Sequence, residues 1–194
     1  MDDTPDGKRP RCYFAFRSPY SRLGLHKVAN SGVDTQLIAF TGPPEDAPFA
    51  DPTANKYKLA YYQQDVLRMT WRMSLPIAVP NPFDVDFTPA NRAFVAADHA
   101  GKGLAMAVGL SDARWGEGKN ISDPDIIAEV AAAIGWDGYD ASAIAADPAI
   151  TEALEHHRVM IAEDGIFGVP FLVEGNNKYW GQDRFDIWLE ERKG

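Results

Sequence analysis

The chain has 194 residues, a formal net charge of −9 and only 19 lysines and arginines, so it lacks the basic surface that binds nucleic-acid phosphates or anionic membranes. With 45% hydrophobic and 11% aromatic residues, its composition is that of a globular protein with one good core, or of one domain with a large insertion. We therefore expect neither nucleic-acid binding nor membrane association.

The first ten residues, MDDTPDGKRP, are polar and predict a flexible leader. They contain no apolar segment of the kind found in secretion signals. No stretch of the chain reaches the roughly 18 apolar residues that span a bilayer. The sequence therefore predicts a cytoplasmic protein without a membrane-spanning segment.

A strand that runs directly into a helix is the first predicted unit. Tyr13–Phe16 is an apolar run of strand length, and Ser18 and Pro19 are typical of a helix start, a hydroxyl cap followed by proline in the first turn. The helix is expected to end near Gly32, and Val33–Phe40 predicts a second strand. Strand, helix and strand form a βαβ unit, in which the two strands are parallel.

Ser18 is the first candidate for chemistry. Its hydroxyl is expected to lie among backbone N–H groups without helical partners, at the positive end of the helix dipole, where an anion such as a thiolate is favoured. The alternative is a serine that only caps its helix. Because Ser-Pro helix starts are common, these residues alone favour the simple cap.

A long helical segment follows a loop at residues 41–52 that is rich in proline and glycine. Amphipathic spacing predicts a helix over Lys58–Met73, followed by an irregular segment over Ser74–Pro89. Further helices are predicted from Thr88 to Ala100, from Gly103 to Trp115, from Ile126 to Ile134 after a capping box at Ser122–Asp125, and from Asp147 to Asp164.

The last thirty residues return to strand character. Phe171–Val173 and Lys178–Trp180 are separated by a Gly/Asn turn, which predicts a hairpin, and Gly181-Gln182-Asp183 opens a final helix. A βαβ half, a helical insertion and a ββα half form an α/β, thioredoxin-like fold that is interrupted in its middle. The predicted domains are a thioredoxin-like domain of residues 11–41 and 165–194 and an all-helical insertion of residues 42–164.

The single cysteine and the two adjacent histidines are poor candidates for a redox or metal-binding site. Cys12 is the only cysteine, which excludes an internal disulfide and a CxxC pair, and its place in an apolar strand predicts a buried, unreactive thiol. His156 and His157 lie about 100° apart on a helix and cannot chelate one ion as an i, i+4 pair would. We predict no metal site.

Several motifs together resemble one known family over nearly the whole chain. Ser18-Pro19-Tyr20-Ser21 stands where disulfide oxidoreductases of the thioredoxin superfamily have a CxxC, and Val169-Pro170 resembles the cis-proline loop of that superfamily. The chain resembles the 2-hydroxychromene-2-carboxylate isomerase family, related to kappa-class glutathione transferases and to DsbA-like proteins. The motifs that carry this resemblance are FxFRSPYSRLGL, YYQQDVLR, ANRAF, WGEGKNISDPD, GIFGVPFLV and YWGQDRFD.

The resemblance implies a glutathione-dependent isomerase. In that family the cofactor thiol adds reversibly to an unsaturated carbonyl compound, so that a conjugated double bond can rotate before elimination. Ser18 would then be the catalytic residue, a donor that stabilises an external thiolate and is not itself the nucleophile. Another low-molecular-weight thiol could take the place of glutathione.

The resemblance also implies which residues bind the thiol. Val169, beside a cis Pro170, would pair its backbone with the cysteinyl part of glutathione. Gln182 and Asp183 would hold the γ-glutamyl end, and Lys58 the glycyl carboxylate.

Three arginines are candidates for a substrate carboxylate. Relatives often carry leucine or serine at the position of Arg17 and an aromatic residue at that of Arg22. These two arginines could bind an acidic substrate bidentately, or they could face solvent and pair with nearby acids. Arg92, which matches the family pattern, is the third candidate.

Three functions remain open from the sequence. They are a glutathione-dependent isomerase acting on a small unsaturated carbonyl compound, a kappa-type glutathione transferase, and a cofactor-independent isomerase or binding protein of a biosynthetic pathway that has lost thiol binding. The family usually has Gly-Asn after the second strand, whereas this chain has Gly42-Pro43, which favours the third. Ser18, Pro170 and Asp183 favour the first two.

Chains with the features described next resemble proteins that form homodimers. Trp180 and the apolar helix Phe94–Ala100 indicate the surface through which two copies would associate. We therefore predict a homodimer.

Overall fold

The computed structural model describes residues 9–44, 47 and 54–193. Its strands form one sheet in the order β2-β1-β3-β4, in which β1 and β2 are parallel and the other neighbours are antiparallel. The strands are β1 (Arg11–Phe14), β2 (Gln36–Ala39), β3 (Phe171–Glu174) and β4 (Asn177–Trp180). This is the thioredoxin-like sheet that the sequence predicts.

The helices of the described residues include six between β2 and β3, which form the expected helical insertion. They are α1 (Pro19–Ser31), α2 (Lys56–Arg72), α3 (Thr88–His99), α4 (Gly103–Trp115), α5 (Pro124–Ala133), α6 (Ala141–Ala146), α7 (Pro148–Glu163) and α8 (Arg184–Glu191). The short α6 was not predicted, because its alanine-rich sequence contains one buried residue, Ile144, and so shows no apolar period.

Local signals decide most helix ends. Ser18 caps α1, and Gly32 ends it with a left-handed φ of 69°, as predicted. The predicted capping box before α5 begins at the wrong residue. Asp123, and not Ser122, is the N-cap, and its side chain accepts a hydrogen bond from Asp125 N at 2.9 Å. Ser122 instead donates its hydroxyl to Asn120.

Side chains that alternate along the strands divide the core between the two faces of the sheet. One face, with Phe14 and Leu172, packs into a large cluster with α1, α8 and the helical insertion. The other face, with Tyr13 and Val173, packs against Ile161 near the end of α7. The large core therefore runs from the sheet into the insertion without a break. The predicted domain boundary at residue 164 assigns α7 to the insertion, although α7 packs against the sheet. The division into two domains stays a prediction.

Two expectations fall partly outside the described residues. Of the leader only Arg9 and Pro10 are described, and Arg9 pairs with Asp34 at 2.6 Å. The loop at residues 41–52 is described only at residues 41–44 and 47. Across the described ranges, no helix has the length and apolarity needed to cross a bilayer.

The basis of the predicted homodimer is partly wrong. Phe94 and Ala97 are fully buried in the core, so the helix that carries them offers no free apolar face. Trp180 is 54% exposed, as that prediction requires. The homodimer itself stays a prediction, which light scattering at high protein concentration would test.

Cys12 is buried, as predicted, and burial raises the pKa of its thiol to about 12.

Candidate active site

Ser18 lies at a junction between β1 and α1 that is held from several sides. Its N–H donates to Ala15 O at 3.0 Å, and Trp115 Nε1 donates to Phe16 O at 2.9 Å. Ser18 Oγ accepts from Ser21 N at 3.1 Å, so the serine does cap its helix. Its hydroxyl proton has no acceptor among the described residues, and it remains available to an external anion at the helix N-terminus.

Val169 and Pro170 lie at the same end of the sheet. The register pairs Tyr13 of β1 with Phe171 of β3, and the peptide bond between Val169 and Pro170 is cis. Pro170 packs onto α1 at Gly24, where an added Cβ would lie 3.1 Å from the proline Cβ. Val169 is partly exposed, and its backbone N–H and C=O make no hydrogen bond with other described residues. Its backbone is therefore free to pair with an extended ligand.

The start of α8 completes this end of the molecule. Pro170 O accepts from Gly181 N at 2.9 Å, and Lys27 of α1 donates to Gln182 O at 2.9 Å. The Gln182 side chain is 4% exposed, and its Oε1 has no donor in the described part of the chain. Asp183 is exposed, pairs with Arg184 at 2.7 Å and does not cap α8.

Helix α2 lies against the first turn of α1. Tyr20 donates its hydroxyl to Asp65 Oδ2 at 2.8 Å, and its ring lies 5.7 Å from that of Tyr62. Burial, followed by the bond to Asp65, raises the pKa of Tyr20 far above its usual value, so its hydroxyl stays a proton donor to that carboxylate. Lys58 is exposed and lies one helical turn before Tyr62, on the same face of α2.

The structure corrects the substrate role of Arg22. Arg22 is 1% exposed, and its guanidinium bonds to Asp112 Oδ1 and to Pro76 O, each at 2.6 Å. His26 Nε2 lies 2.8 Å from the same carboxylate. Burial raises the pKa of Asp112, but the bonds from His26 and Arg22 outweigh it and leave the pKa below its usual value. Arg22 is therefore a buried structural residue.

The substrate role of Arg92 is corrected for the same reason. Its guanidinium donates to Ile144 O at 2.7 and 3.0 Å, to Asp147 O at 2.9 Å and to Thr151 Oγ1 at 2.9 Å. These bonds join α3 to α6 and α7 and occupy all three nitrogens. Arg17, in contrast, is exposed, and its nearest carboxylate is Asp84 at 3.6 Å.

Arg114 is a buried cation beside this site that sequence reasoning missed. Its side chain is 0% exposed, and Nη2 donates to Phe83 O at 2.5 Å. Burial, together with the charge of Arg17, lowers the pKa of Arg114 to about 10. The available signal was its spacing, since Arg114 follows the buried Ala107 and Leu110 on one stripe of α4.

Within the described ranges, no three His, Cys, Asp or Glu side chains lie close enough together to hold a metal ion.

Comparison with known sequences gives one family and several named relatives, two of which are described here. The family model described as DSBA-like thioredoxin domain matches residues 11–191. The 2-hydroxychromene-2-carboxylate isomerase of Pseudomonas putida is 25% identical over 190 residues, covering 94% of this chain and 92% of that relative. The protein of the same name from Sphingobium xenophagum is 24% identical over 184 residues, covering 90% of this chain and 93% of the relative.

Solved structures show the same fold. A 2-hydroxychromene-2-carboxylate isomerase aligns with a TM-score of 0.75 at 22% identity, over 96% of this chain and 95% of the other. A probable DsbA oxidoreductase from Streptomyces coelicolor aligns with a TM-score of 0.75 at 16% identity, over 96% and 90%. The cytosolic disulfide reductase DsbM from Pseudomonas aeruginosa, solved with GSH, aligns with a TM-score of 0.68 at 16% identity, over 96% and 99%.

Proposed function

The chain belongs to the DSBA-like thioredoxin domain family, and we propose that it is an isomerase that uses the thiol of glutathione, or of another low-molecular-weight thiol, to rearrange a double bond conjugated to a carbonyl group. Its curated relatives carry the name of an isomerase. The observation that carries the proposal is Ser18, a free hydroxyl donor at a helix N-terminus, at the end of the sheet where the backbone of Val169 makes no hydrogen bond with other described residues.

The cysteine content argues against disulfide exchange as the activity. Serines 18 and 21 stand where a redox pair would be, and the single cysteine of the chain, Cys12, is buried. Because burial raises the pKa of Cys12 to about 12, no thiolate of the protein is available as a nucleophile near neutral pH. The nucleophile that we propose is therefore an external thiol.

The groups without partners fit a tripeptide thiol. The N–H and C=O of Val169 can pair with an extended peptide in the manner of an added strand. Gln182 Oε1 is a buried acceptor without a donor, which suits an ammonium group, and Asp183 supplies a carboxylate beside it. Lys58 lies on the face of α2 that meets α1 and would bind the glycyl carboxylate.

When bound, glutathione supplies a soft nucleophile that adds to the substrate and leaves again. Ser18 would hold the thiolate by donating its hydroxyl, while the start of α1 favours the negative charge and so lowers the thiol pKa. A cysteine at this position would instead form a mixed disulfide with the cofactor. We place the activity in the cytoplasm, where glutathione keeps thiols reduced.

Calorimetric titration with glutathione, cysteine and S-methylglutathione tests the thiol site. We expect glutathione to bind with micromolar to millimolar affinity, and Gln182→Leu to weaken it about tenfold, the effect of one hydrogen bond to a charged group. Gln63→Leu, which changes an exposed glutamine of α2, is the matched control. If none of these three compounds binds, the proposal is wrong and the cofactor-independent binding protein is favoured.

Turnover distinguishes the isomerase from the transferase, which would use the same thiol site. The probe is cis-4-phenyl-3-buten-2-one, whose conversion to the trans form can be followed by ultraviolet absorption. An isomerase converts many equivalents of this compound with a catalytic amount of glutathione. A transferase consumes one glutathione for each product molecule, and that outcome would replace the isomerase with the kappa-type alternative.

A further inference from the structure

Helix α2 carries Lys58 but is only lightly packed against the rest of the protein. Thr70, near the end of the helix, is the one buried residue among its 17, and the others are partly or fully exposed. The cap of α2 is local, because Asn55 accepts from Tyr57 N at 3.0 Å and from Lys58 N at 3.1 Å. The core therefore does not hold the first half of α2, and a contact outside the core has to fix its place.

That contact is made by Tyr20, in the first turn of α1 and two residues after Ser18. Its hydroxyl donates to Asp65 Oδ2 at 2.8 Å, and its ring lies 5.7 Å from that of Tyr62. Among the described residues, no other hydrogen bond or ion pair joins an α2 side chain to a different helix or strand. The bond between Tyr20 and Asp65 thus fixes both the position of α2 along α1 and its rotation.

The carboxylate of Asp65 is oriented for this bond. Its Oδ1 accepts from Arg68 Nη1 at 2.7 Å, and Arg68 Nη2 donates to Gln64 Oε1 at 3.2 Å. The Asp65 side chain is 16% exposed, whereas that of Arg68 is 50% exposed. Each carboxylate oxygen therefore has one partner, and Oδ2 is the oxygen that receives the hydroxyl of Tyr20.

Lys58 lies on the same stripe of α2 as the two residues that Tyr20 contacts. Lys58, Tyr62 and Asp65 occupy positions i, i+4 and i+7, which share one face of a helix. Lys58 lies about 10 Å from Asp65 along the helix axis, at about 1.5 Å per residue. A shift of α2 by one residue would turn Lys58 by about 100° and move it away from the first turn of α1.

We propose that Tyr20 and Asp65 are positioning residues, which hold Lys58 where it pairs with the terminal carboxylate of a tripeptide thiol and so make the site selective for glutathione over thiols without that carboxylate. The inference rests on the proposed function and deepens it. In this role neither Tyr20 nor Asp65 touches the thiol or the substrate. A Tyr20 that only stabilises α2 predicts a loss of stability without a change in this selectivity.

The first experiment compares glutathione with its glycyl ethyl ester, which has the same length and thiol but no terminal charge, by calorimetry. We expect the wild-type protein to bind glutathione about fivefold more tightly, because only the carboxylate pairs with Lys58. Tyr20→Phe keeps the ring against Tyr62 and loses the hydroxyl. Its preference for glutathione should fall below about twofold, while its affinity for the ester stays the same.

The outcomes of this comparison separate the inference from the proposed function. If the wild-type protein binds both compounds equally, or if Tyr20→Phe keeps the full preference, the positioning role is wrong and the thiol site stands. If the wild-type protein binds neither compound, the thiol site itself is wrong, and the positioning role falls with it.

A double-mutant cycle tests whether Tyr20 acts through Lys58. Lys58→Met should abolish the preference for glutathione, and adding Tyr20→Phe to this variant should weaken glutathione no further. An equal loss in both backgrounds would show that Tyr20 acts independently of Lys58 and would contradict the proposal. Asp65→Ala removes the acceptor and should match Tyr20→Phe, so it keeps the test decisive if the phenylalanine variant does not fold.

Tyr179→Phe is the matched control, since Tyr179 donates to Glu191 Oε2 at 2.5 Å, a bond of the same kind between β4 and α8. This variant should keep the preference for glutathione, and a variant that loses it would show that the loss is not specific to Tyr20.

Kinetics with cis-4-phenyl-3-buten-2-one distinguish positioning from catalysis. Tyr20→Phe should raise the KM for glutathione about three- to fivefold and leave kcat unchanged, because it removes binding that the ground state and the transition state share. A fall in kcat without a change in KM would place Tyr20 at the reacting atoms and overturn the positioning role.

Discussion

Two regions of this molecule differ in whether their polar groups have hydrogen-bond partners. In the paired region, Arg22 shares Asp112 with His26, and Arg11 shares Asp164 with Tyr13, so that each of these carboxylates holds two partners. In the open region, at the end of the sheet where α1 and α8 begin, donors and acceptors lack partners among the described residues. These groups are the hydroxyl proton of Ser18, the backbone of Val169, Gln182 Oε1 and two nitrogens of Arg114.

The difference separates stability from binding. Native proteins pair nearly all buried polar groups, so groups that are left without partners indicate places where a ligand can bind. Two further exceptions lie in the helical insertion: Ser111 Oγ, one turn before Arg114 on α4, and His157 Nδ1 on α7. Variants of the paired region should therefore lower stability and leave ligand binding and turnover intact, whereas variants of the open region should lower ligand binding or turnover.

The largest effect is expected from Arg22→Met. The change removes the buried cation of this ion pair, so that Asp112 keeps only His26 and Pro76 O loses its donor, which lowers the free energy of unfolding by about 3–4 kcal/mol. The melting temperature should fall by roughly 10 °C. Thermal unfolding measures the loss, and calorimetry should show unchanged affinity for glutathione. A variant of normal stability that no longer binds glutathione would move Arg22 into the open region.

Ser18→Ala is the matching change in the open region. Loss of one hydrogen bond to a thiolate corresponds to about 1.5–3 kcal/mol, so turnover of cis-4-phenyl-3-buten-2-one should fall about 10- to 150-fold. Because Ser18 also caps α1, stability should fall by about 0.5–2 kcal/mol. Thiol binding should survive.

Asp123→Ala is the control for the Ser18 variant. It removes a similar cap before a proline at the start of α5 and should lower stability without a change in turnover. A Ser18→Ala protein that is less stable but fully active would show that Ser18 is only a cap. Ser18→Cys should be slowest under oxidising conditions, because a low-pKa thiol at this position forms a mixed disulfide with the cofactor.

His157 tests an unpaired group away from the site. Burial lowers its pKa from 6.5 to about 4, with smaller contributions from His156 and His99. Between these values the unfolded chain binds a proton and the folded protein does not, so stability decreases as the pH falls from 6.5 toward 4. The expected loss between pH 6.5 and 5 is on the order of 2 kcal/mol, measured by urea unfolding. His157→Gln should flatten this dependence, and a variant with the same slope would contradict the assignment.

The smallest effect is expected from Asp164→Asn. Burial raises the pKa of Asp164, but the bonds from Arg11 and Tyr13 outweigh it and leave the pKa below its usual value. The carboxylate therefore contributes stability above the unfolded pKa of about 3.9, and this is lost as the pH falls through the lower folded pKa. The variant should lose about 1–2 kcal/mol at pH 7 and show a weaker acid dependence below pH 4 in chemical unfolding. Glutathione affinity should not change.

Prediction from the sequence succeeded where neighbouring residues carry the signal. The start of α1 at Ser18 and Pro19 and its end at Gly32 are set by local backbone preferences, and both were predicted. The hairpin was found from its Gly/Asn turn, although each strand extends one residue further toward the turn than its apolar run. Strand β1 begins two residues earlier than expected, because its pairing with β2 and β3 includes Arg11.

Prediction failed for Arg22 and Arg92, because their roles depend on partners far away in the chain. Arg22 pairs with Asp112, 90 positions later, and Arg92 with backbone oxygens more than 50 positions later. Arg17 and Arg22 look alike in sequence, yet one is exposed and the other buried. Arg114 was overlooked because an arginine on a helix is usually solvated.

The sequence by itself determined the order of the strands and of the longer helices, both ends of α1, and the presence of serines where a redox cysteine pair would be, since each depends on residue types within a few positions. Only the tertiary structure decided which charges are paired, that Gln182 and Arg114 are buried with free atoms, and that Pro170 contacts both Gly24 of α1 and Gly181 before α8. Those facts depend on packing between residues as many as 150 positions apart, such as Arg11 and Asp164, 153 positions from each other, and no local pattern encodes them.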